Sequence, residues 1–506
     1  MDLPSIKLDK VIRDPVHGYI KLTNLEFDLI QLPVFLRLHR IKQGSTAYLT
    51  YPGSLNSRFG HVVGAMHLGH KIITQLLATL DPIDFKKLFP TMNNDDLALL
   101  IKSVRLACLF HDLGHGPFSH AGEKLMLTAT KEYPEEIEEA KRLFDITDVE
   151  KLPIHEYYSY KLIKDGEVAE LLKKEDSRLV ELSSSLIIKK SESQIVKDNV
   201  DGFSILHKIV SSQLDADRMD YLMRDGLMSG VTYGQIDADR VIMNMAIIHD
   251  KLGGYELAIH SRALGAIEDM LDARFKMYKW LYQHHTVVAT DNLMQLALQK
   301  LVKLKKTELS LFHWKKFSNG LSNDDFILNK LIECWCQNSS EFESYKGLWD
   351  RRFIPTSILK RPSDYPEFAF LVQKYTGRHQ SDDVIGQKIK EFSKSTEAEK
   401  KLDAEFQTMG EPLKNTNVII ITTGRAPYQP LSEEDNVWLF DEQGEIHELM
   451  KKSAYTSHIN QEWQTSPSVY ISCFIPNVMK SKIDKLMKEK MRDAIIKAIF
   501  PKKGEK

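Results

Sequence analysis

From Leu109 to His120 the chain reads Leu-Phe-His-Asp-Leu-Gly-His-Gly-Pro-Phe-Ser-His, so an adjacent imidazole and carboxylate, His111 and Asp112, leave an apolar run with His115 and His120 close behind. Two ligand-type side chains placed side by side are one way a protein grips a metal ion. The dipeptide alone decides nothing: His249-Asp250 repeats it before Lys251-Leu252-Gly253-Gly254, which reads as a solvated turn between two strands. The first pair differs in its company. Asn56-Ser57-Arg58-Phe59-Gly60-His61 lies upstream and Gln213-Leu214-Asp215-Ala216-Asp217-Arg218-Met219-Asp220-Tyr221 downstream, giving a spaced set of His61, His111, Asp112 and Asp217. Imidazole with carboxylate suits iron, manganese, nickel and zinc, so the donor set fixes a class of ion and not its identity. Such an ion brings the pKa of water toward neutrality, which is hydrolytic chemistry. Taken singly, His61 reads as a satisfied polar residue and Asp217 as a helix-surface acid. The joint pattern carries the inference.

These residues need helices to position them. Residues 97–110 are apolar except for Lys102, Ser103 and Arg105, the pattern of a nearly buried helix. Gly114, Gly116 and Pro117 then break it; if its last turn persists, His111 and His115 share one face. The acidic stretch from Lys131 to Lys151 predicts a solvated helix. Between Ile205 and Gly226 helical spacing resumes, and Asp217, Tyr221 and Asp225 fall on one face. Residues 241–260 predict a hairpin, and 262–301 a long helix with Arg274, Tyr278 and Tyr282 on one stripe. Residues 376–410 are charge-rich and read as a surface helix or linker. After Pro412, short β-type runs alternate with turns, and a basic amphipathic helix over about 478–500 closes the chain.

The expected architecture is mainly α: a helical core over 1–300, a helical extension and charged linker over 301–411, and a small α+β domain over 412–506. With 506 residues and 42% hydrophobic content the chain can bury a large core. A formal net charge of −2 with 27% charged residues excludes an overall polyanion-binding surface, so phosphate recognition must rest on local clusters. Four cysteines, Cys108, Cys334, Cys336 and Cys473, are too few and scattered for a disulfide framework and point to a reducing cytosol. The Cys334-Trp335-Cys336 pair has no second pair to complete a zinc site. Residues 1–10 carry four charges and no apolar segment of signal-peptide type. No apolar run approaches the roughly 20 residues that span a bilayer. A soluble, cytoplasmic protein with no membrane partner is expected.

The motifs resemble those of the HD-domain phosphohydrolases, specifically the deoxynucleotide triphosphohydrolase branch of bacterial deoxyguanosine triphosphatases and the vertebrate enzyme with a sterile-alpha-motif domain. The similarity runs from about Lys10 to about Lys300. It includes Asp14-Pro15-Val16-His17-Gly18, Ile41-Lys42-Gln43, Arg58-Phe59-Gly60-His61, the His111–His120 run, His155-Glu156, Asp217–Asp225 and Tyr282-Gln283-His284. No sterile-alpha-motif domain is expected ahead of Lys10.

The resemblance implies a helical HD-domain core in which His61, His111, Asp112 and Asp217 hold a divalent ion (Fe, Mn, Ni or Zn), with Mg accompanying the triphosphate. It implies attack of water on the α-phosphorus of a deoxynucleoside triphosphate, releasing the deoxynucleoside and intact triphosphate. His120 is then the general acid, Glu123 orients it, and His115, His155 and Glu156 complete the catalytic pocket. Arg58, Arg218, Arg274 and Tyr221 correspond to phosphate-contacting positions, and Gln43, Asp225 and Tyr282 to residues holding the deoxyribose. Dimers that pair into tetramers are implied as well. The chain departs from the vertebrate pattern at Gln31, Leu36 and His39, where guanine would be read at an allosteric site, and at Gly44, which replaces a bulky residue beside the sugar. Two alternatives share parts of this reading: an HD-type nuclease or phosphodiesterase, to which the basic segment with Lys480, Lys482, Lys485, Lys488, Lys490 and Arg492 lends nucleic-acid contact, and a nucleotide-sensing regulator without turnover.

Overall fold

The computed structural model describes residues 4, 6–188, 190–249 and 253–336, and beyond them 353–359, 417–421, 436–465, 470–476, 485–500 and short stretches between 370 and 409. These residues are mainly helical, with small sheets. They fall into two compact units. The first comprises Met1–Met277, Val302–Asn329 and Leu431–Ser457, and the second Tyr278–Leu301, Lys330–Pro430 and His458–Lys506.

The first unit opens with antiparallel strands β1 (Lys10–Asp14) and β2 (Gly18–Leu22). Asp14 Oδ1 accepts the N–H groups of Val16 and His17, each at 2.9 Å, and Gly18 takes φ 72°, which closes the turn. Helix α1 (Asn24–Ile30) carries a Thr23–Glu26 capping box. Two long helices come next, α2 (Arg58–Thr79) and α3 (Leu97–Phe110).

Two of the polar residues interrupting the apolar run of α3 are buried and satisfied. Ser103 Oγ donates to the Leu99 carbonyl at 2.8 Å, and Arg105 meets the Glu26 carboxylate at 2.6 and 2.7 Å. The helix stops at Phe110. Residues 111–115 form tight turns, with Leu113 N–H on the Phe110 carbonyl and His115 N–H on that of Asp112. His111 and His115 therefore do not share a helix face, because Gly114 and Gly116 release the chain from the α-helix.

Helix α4 (Pro134–Phe144) is amphipathic and not solvated all round. Glu136 is buried, accepting from His313 and Trp314 Nε1, each at 3.0 Å. Then come α5 (Ile154–Lys164), α6 (Val200–Val210) and α7 (Ala216–Ser229). Asp215 caps α7 by accepting the Arg218 N–H at 2.6 Å, which splits the expected 205–226 helix in two. The hairpin appears as β3 (Met245–His249) and β4 (Tyr255–His260). His249 is exposed and contacts Asp84, while Asp250 lies outside the described residues.

The expected long helix is α8 (Leu264–Met277) and α9 (His285–Lys303), separated by a π-helical turn over Tyr278–Tyr282. The Gln283 N–H reaches back five residues to the Tyr278 carbonyl at 2.9 Å. This wider turn interrupts the regular α-helical phase expected over 262–301. Helix α10 (Asp324–Cys336) lies further along the chain.

Further along the chain lie strands β5 (Phe353–Leu359), β6 (Asn417–Ile421), β7 (Trp438–Phe440), β8 (Ile446–Glu448) and β9 (Tyr470–Pro476), and helix α11 (Lys485–Ile499). In the second unit β5, β9 and β6 form an antiparallel sheet in that order. In the first, β7 pairs in parallel with β4 and β8 antiparallel to β7, extending the hairpin to β3-β4-β7-β8. Strands β7 and β8, expected inside a separate C-terminal domain, thus join the sheet of the first unit. Lys480, Lys482 and most of 376–410 lie outside the described residues.

Candidate active site and metal centre

His61 sits in the first turn of α2, fully buried, and His111 comes directly after the last turn of α3. Asp217 opens α7. The three converge. His61 Nε2 is 3.0 Å from Asp217 Oδ1 and 3.3 Å from His111 Nε2, and His111 Nε2 is 3.5 Å from Asp217 Oδ1. Asp112 stands at the edge, with Oδ2 3.5 Å from His61 Nε2 and Oδ1 3.6 Å from His111 Nε2. This His/Asp cluster can hold a divalent ion.

The outer partners of the rings show what the cluster demands. His61 Nδ1 lies 2.8 Å from Asp220 Oδ2, and His111 Nδ1 2.7 Å from the Cys108 carbonyl oxygen. Both partners are acceptors, so each Nδ1 carries the hydrogen and each neutral ring turns an Nε2 lone pair toward the other. Two lone pairs beside two carboxylates need a cation between them. Without a metal that cation is a proton. Burial opposes charge on His61, but hydrogen bonds to Asp217 and Asp220 outweigh it and push its pKa up to about 10. His111 shifts upward too, against burial, through Asp112 and Asp217. Burial acts against ionisation of both carboxylates, yet the Arg58 guanidinium and His111 hold Asp112 well below the usual range, and His111 and His61 do the same for Asp217.

Asp220 is a functional residue that the motif pattern contains but does not assign. Besides His61 it takes His17 Nε2 at 2.7 Å and Arg224 at 2.8 and 2.9 Å, and Arg224 also reaches Asp14 at 2.8 Å. The Asp14–Gly18 turn therefore braces the His61 ring through Asp220. Gly64 makes this approach possible, since a Cβ there would lie 1.9 Å from Asp220 Oδ1. A signal is present in the sequence: Asp220 comes one helical turn after Asp217.

A second group gathers beside the first. His155 Nδ1 is 2.6 Å and His120 Nδ1 3.1 Å from Glu123 Oε1, while His115 stacks on His155 with ring centroids 4.1 Å apart and meets Asp112 Oδ1 through Nε2 at 3.2 Å. Gly114 permits this, because a Cβ there would sit 2.1 Å from the His155 carbonyl oxygen and block the start of α5. His120 is exposed; the other rings are largely buried. Burial disfavours charge on His155, but Glu123 raises its pKa to about 9, whereas burial and Arg58 keep His115 well below its ordinary value. Glu156 is shifted upward by burial. It lines a cavity of about 910 Å³ that also reaches Gln213, His207 and Lys208.

Arg58 is buried and pairs through Nη1 with Asp112, its Nε donating to Ser119 Oγ at 2.9 Å. Arg218 pairs with Asp215 at the start of α7. Arg274 is buried and donates to Gln213 Oε1 at 2.6 Å. Tyr221 is half-buried, and Asp225, buried, accepts from Asn56 Nδ2 at 2.8 Å. Gln43 bonds through its backbone to the Asn56 carbonyl at 2.9 Å, and its buried side-chain oxygen has no hydrogen-bond partner among the described residues. Tyr282 belongs to the π turn of the second unit, its ring 5.2 Å from that of Tyr278. Asp324 is a further residue that the sequence pattern does not flag. It accepts the N–H groups of Lys42 at 3.0 Å and Phe118 at 2.6 Å, tying the Gln43 segment to the His111–His120 turn.

Comparison with known proteins agrees with this geometry. Residues 58–222 match the HD domain and residues 236–318 the HD associated region. An uncharacterized Bacillus subtilis protein, YwfO, is 26% identical over 487 residues, covering 93% of this chain and 94% of its own. The deoxynucleoside triphosphate triphosphohydrolase SAMHD1 homolog of Dictyostelium discoideum is 27% identical over 63% of this chain, which spans 54% of that protein. A phosphohydrolase crystal structure from Bacteroides thetaiotaomicron shares the fold, with a TM-score of 0.61, 23% identity, and coverage of 92% of this chain and 99% of that one. Among the described residues no helix is long and apolar enough to cross a membrane. This chain thus carries an HD domain with its associated region, and the His/Asp cluster lies inside the HD domain.

Proposed function

We propose that the protein hydrolyses deoxynucleoside triphosphates to deoxynucleoside and intact triphosphate, using a divalent ion at His61, His111, Asp112 and Asp217. The reading is carried by one observation: two imidazole Nε2 atoms 3.3 Å apart beside Asp217, with a His–Glu pair alongside. An ion held there supplies Lewis acidity at a phosphoryl oxygen and acidifies a water molecule.

The chain's own groups do the rest. Glu123 holds the Nδ1 side of His120, which leaves Nε2 of that exposed ring to give a proton to the leaving 5′-oxygen. His155 shares Glu123 and fixes its orientation, and His115 bridges from there to Asp112. Arg58, Arg218 and Arg274 carry guanidinium groups of a kind suited to the triphosphate, and Tyr221 comes one turn after Arg218 on α7. Gln43 Oε1 offers a buried acceptor for a sugar hydroxyl, and Asp225 braces the same wall through Asn56.

The test is product analysis of manganese- or iron-loaded protein with each deoxynucleoside triphosphate. Deoxynucleoside with triphosphate is expected. Shortened oligonucleotides from a single strand, with no nucleotide hydrolysis, would replace this reading by a nuclease; binding without products would replace it by a sensor.

A further inference from the structure

His115, His120, Glu123 and His155 come from three separate segments, yet each offers one ligand atom within 4.8 Å of all the others. Glu123 Oε1 is the hub, with the Nδ1 atoms of His155, His120 and His115 at 2.6, 3.1 and 4.0 Å. Three rings aim the same nitrogen at one carboxylate oxygen.

Hydrogen bonds alone do not satisfy this arrangement. His115 is 1% exposed and its Nε2 lies 3.2 Å from Asp112 Oδ1. An ionised carboxylate only accepts, so Nε2 carries the hydrogen and Nδ1 is a bare lone pair. That Nδ1 is buried and has no hydrogen-bond partner among the described residues, and it faces the carboxylate oxygen of Glu123, a second electron-rich atom. Stacking on His155 at an interplanar angle of 14° holds the plane of the ring, and the Nε2 contact with Asp112 holds its edge. A cation among the four groups answers all of them at once.

We propose that His115, His120, His155 and Glu123 form a second divalent-cation site, distinct from the one at His61, His111, Asp112 and Asp217. Three imidazoles and a carboxylate form a four-coordinate set suited to zinc. Filling the site has a consequence for turnover that rests on His120 being the proton donor. A ring with an ion on Nδ1 keeps only its Nε2–H and cannot form imidazolium, so the second equivalent inhibits.

The test uses the full-length protein, stripped by chelation, dialysed against zinc and assayed for metal by elemental analysis. Cobalt(II) serves as a spectroscopic probe, since four-coordinate cobalt absorbs intensely in the visible. Wild type should bind two equivalents. Asp217→Ala should lose the first and keep the second, with its four-coordinate spectrum; His155→Ala and His120→Ala should keep the first and lose the second. Because the His120 side chain is exposed, its replacement does not disturb the core. A single equivalent in wild type, or a second that survives both histidine variants, would overturn the site without touching the first one. Turnover of wild type should drop about 100-fold as the second equivalent binds, the lower end of what a general acid contributes. Undiminished turnover with both equivalents bound would overturn the inhibitory role.

Discussion

His61 Nδ1 and Asp220 Oδ2 lie 2.8 Å apart in the core, and this pairing turns Nε2 of His61 toward His111 and Asp217. Because Asp220 fixes the tautomer as well as the orientation of the ring, Asp220→Asn is expected to weaken metal binding about 10- to 100-fold, the usual cost of losing such a partner. Competitive titration against a chromophoric chelator measures it. Unchanged affinity would show that His61 orients itself.

Asp112→Ala and Asp217→Ala should each abolish hydrolysis and lower bound metal. Asp217 has the shorter contacts to both rings, so its loss should empty the site more completely. Elemental analysis of both variants is the check, and full metal content in both would remove them as ligands.

His120→Ala makes a different demand. It should retain the first metal equivalent while turnover falls by roughly 100- to 10,000-fold. The loss should shrink with an activated leaving group in place of the nucleoside, since such a group needs no proton. An equal loss with both leaving groups would show that His120 acts elsewhere in the cycle.

In the metal-free protein the pKa of His61 rises from 6.5 to about 10, so its contribution to stability is fully present below pH 6.5 and is lost as pH climbs through about 10. Metal and proton compete for the same Nε2, so metal binding should tighten as pH rises over that window. Thermal unfolding of chelated protein should move to lower temperature between about pH 7 and 10, while that of metal-loaded protein should not. Identical pH profiles for the two forms would contradict the proton-for-metal exchange.

Sugar selection depends on the pocket's shape. A site that rejects an added hydroxyl by shape alone does so by roughly 100-fold, so a real but incomplete preference for deoxynucleotides is expected. Gly44→Leu, which the sequence suggests as a way to sharpen it, meets Ala47 Cβ at 3.1 Å and Ser54 Oγ at 3.2 Å from the first side-chain atom. The variant should therefore lower the melting temperature and kcat/KM for both sugars. Rates for the eight common nucleoside triphosphates decide it, and equal wild-type rates for ribose and deoxyribose would refute selection by shape.

Much of the site is legible in the residues because its chemistry is concentrated in short runs. The apolar stretch ending at His111 fixes α3, and the four-residue spacing of Asp217, Tyr221 and Asp225 fixes the face of α7. Local patterns carry less where tertiary contacts decide. Glu136 reads as solvated but is buried because His313 and Trp314 arrive from a distant segment. Residues 262–301 read as one regular helix until the π turn interrupts them. Asp220 has no signature beyond its place one turn after Asp217, since its role depends on Gly64 and on His17, some two hundred residues away.

The central claim is that water attacks the α-phosphorus and the bond to the 5′-oxygen breaks. Hydrolysis in ¹⁸O-labelled water, with mass spectrometry of the products, tests it. The label should appear in the triphosphate, with the deoxynucleoside unlabelled. Label in a nucleoside mono- or diphosphate, or in the 5′-hydroxyl of the nucleoside, would place the attack elsewhere and remove the proposed reaction.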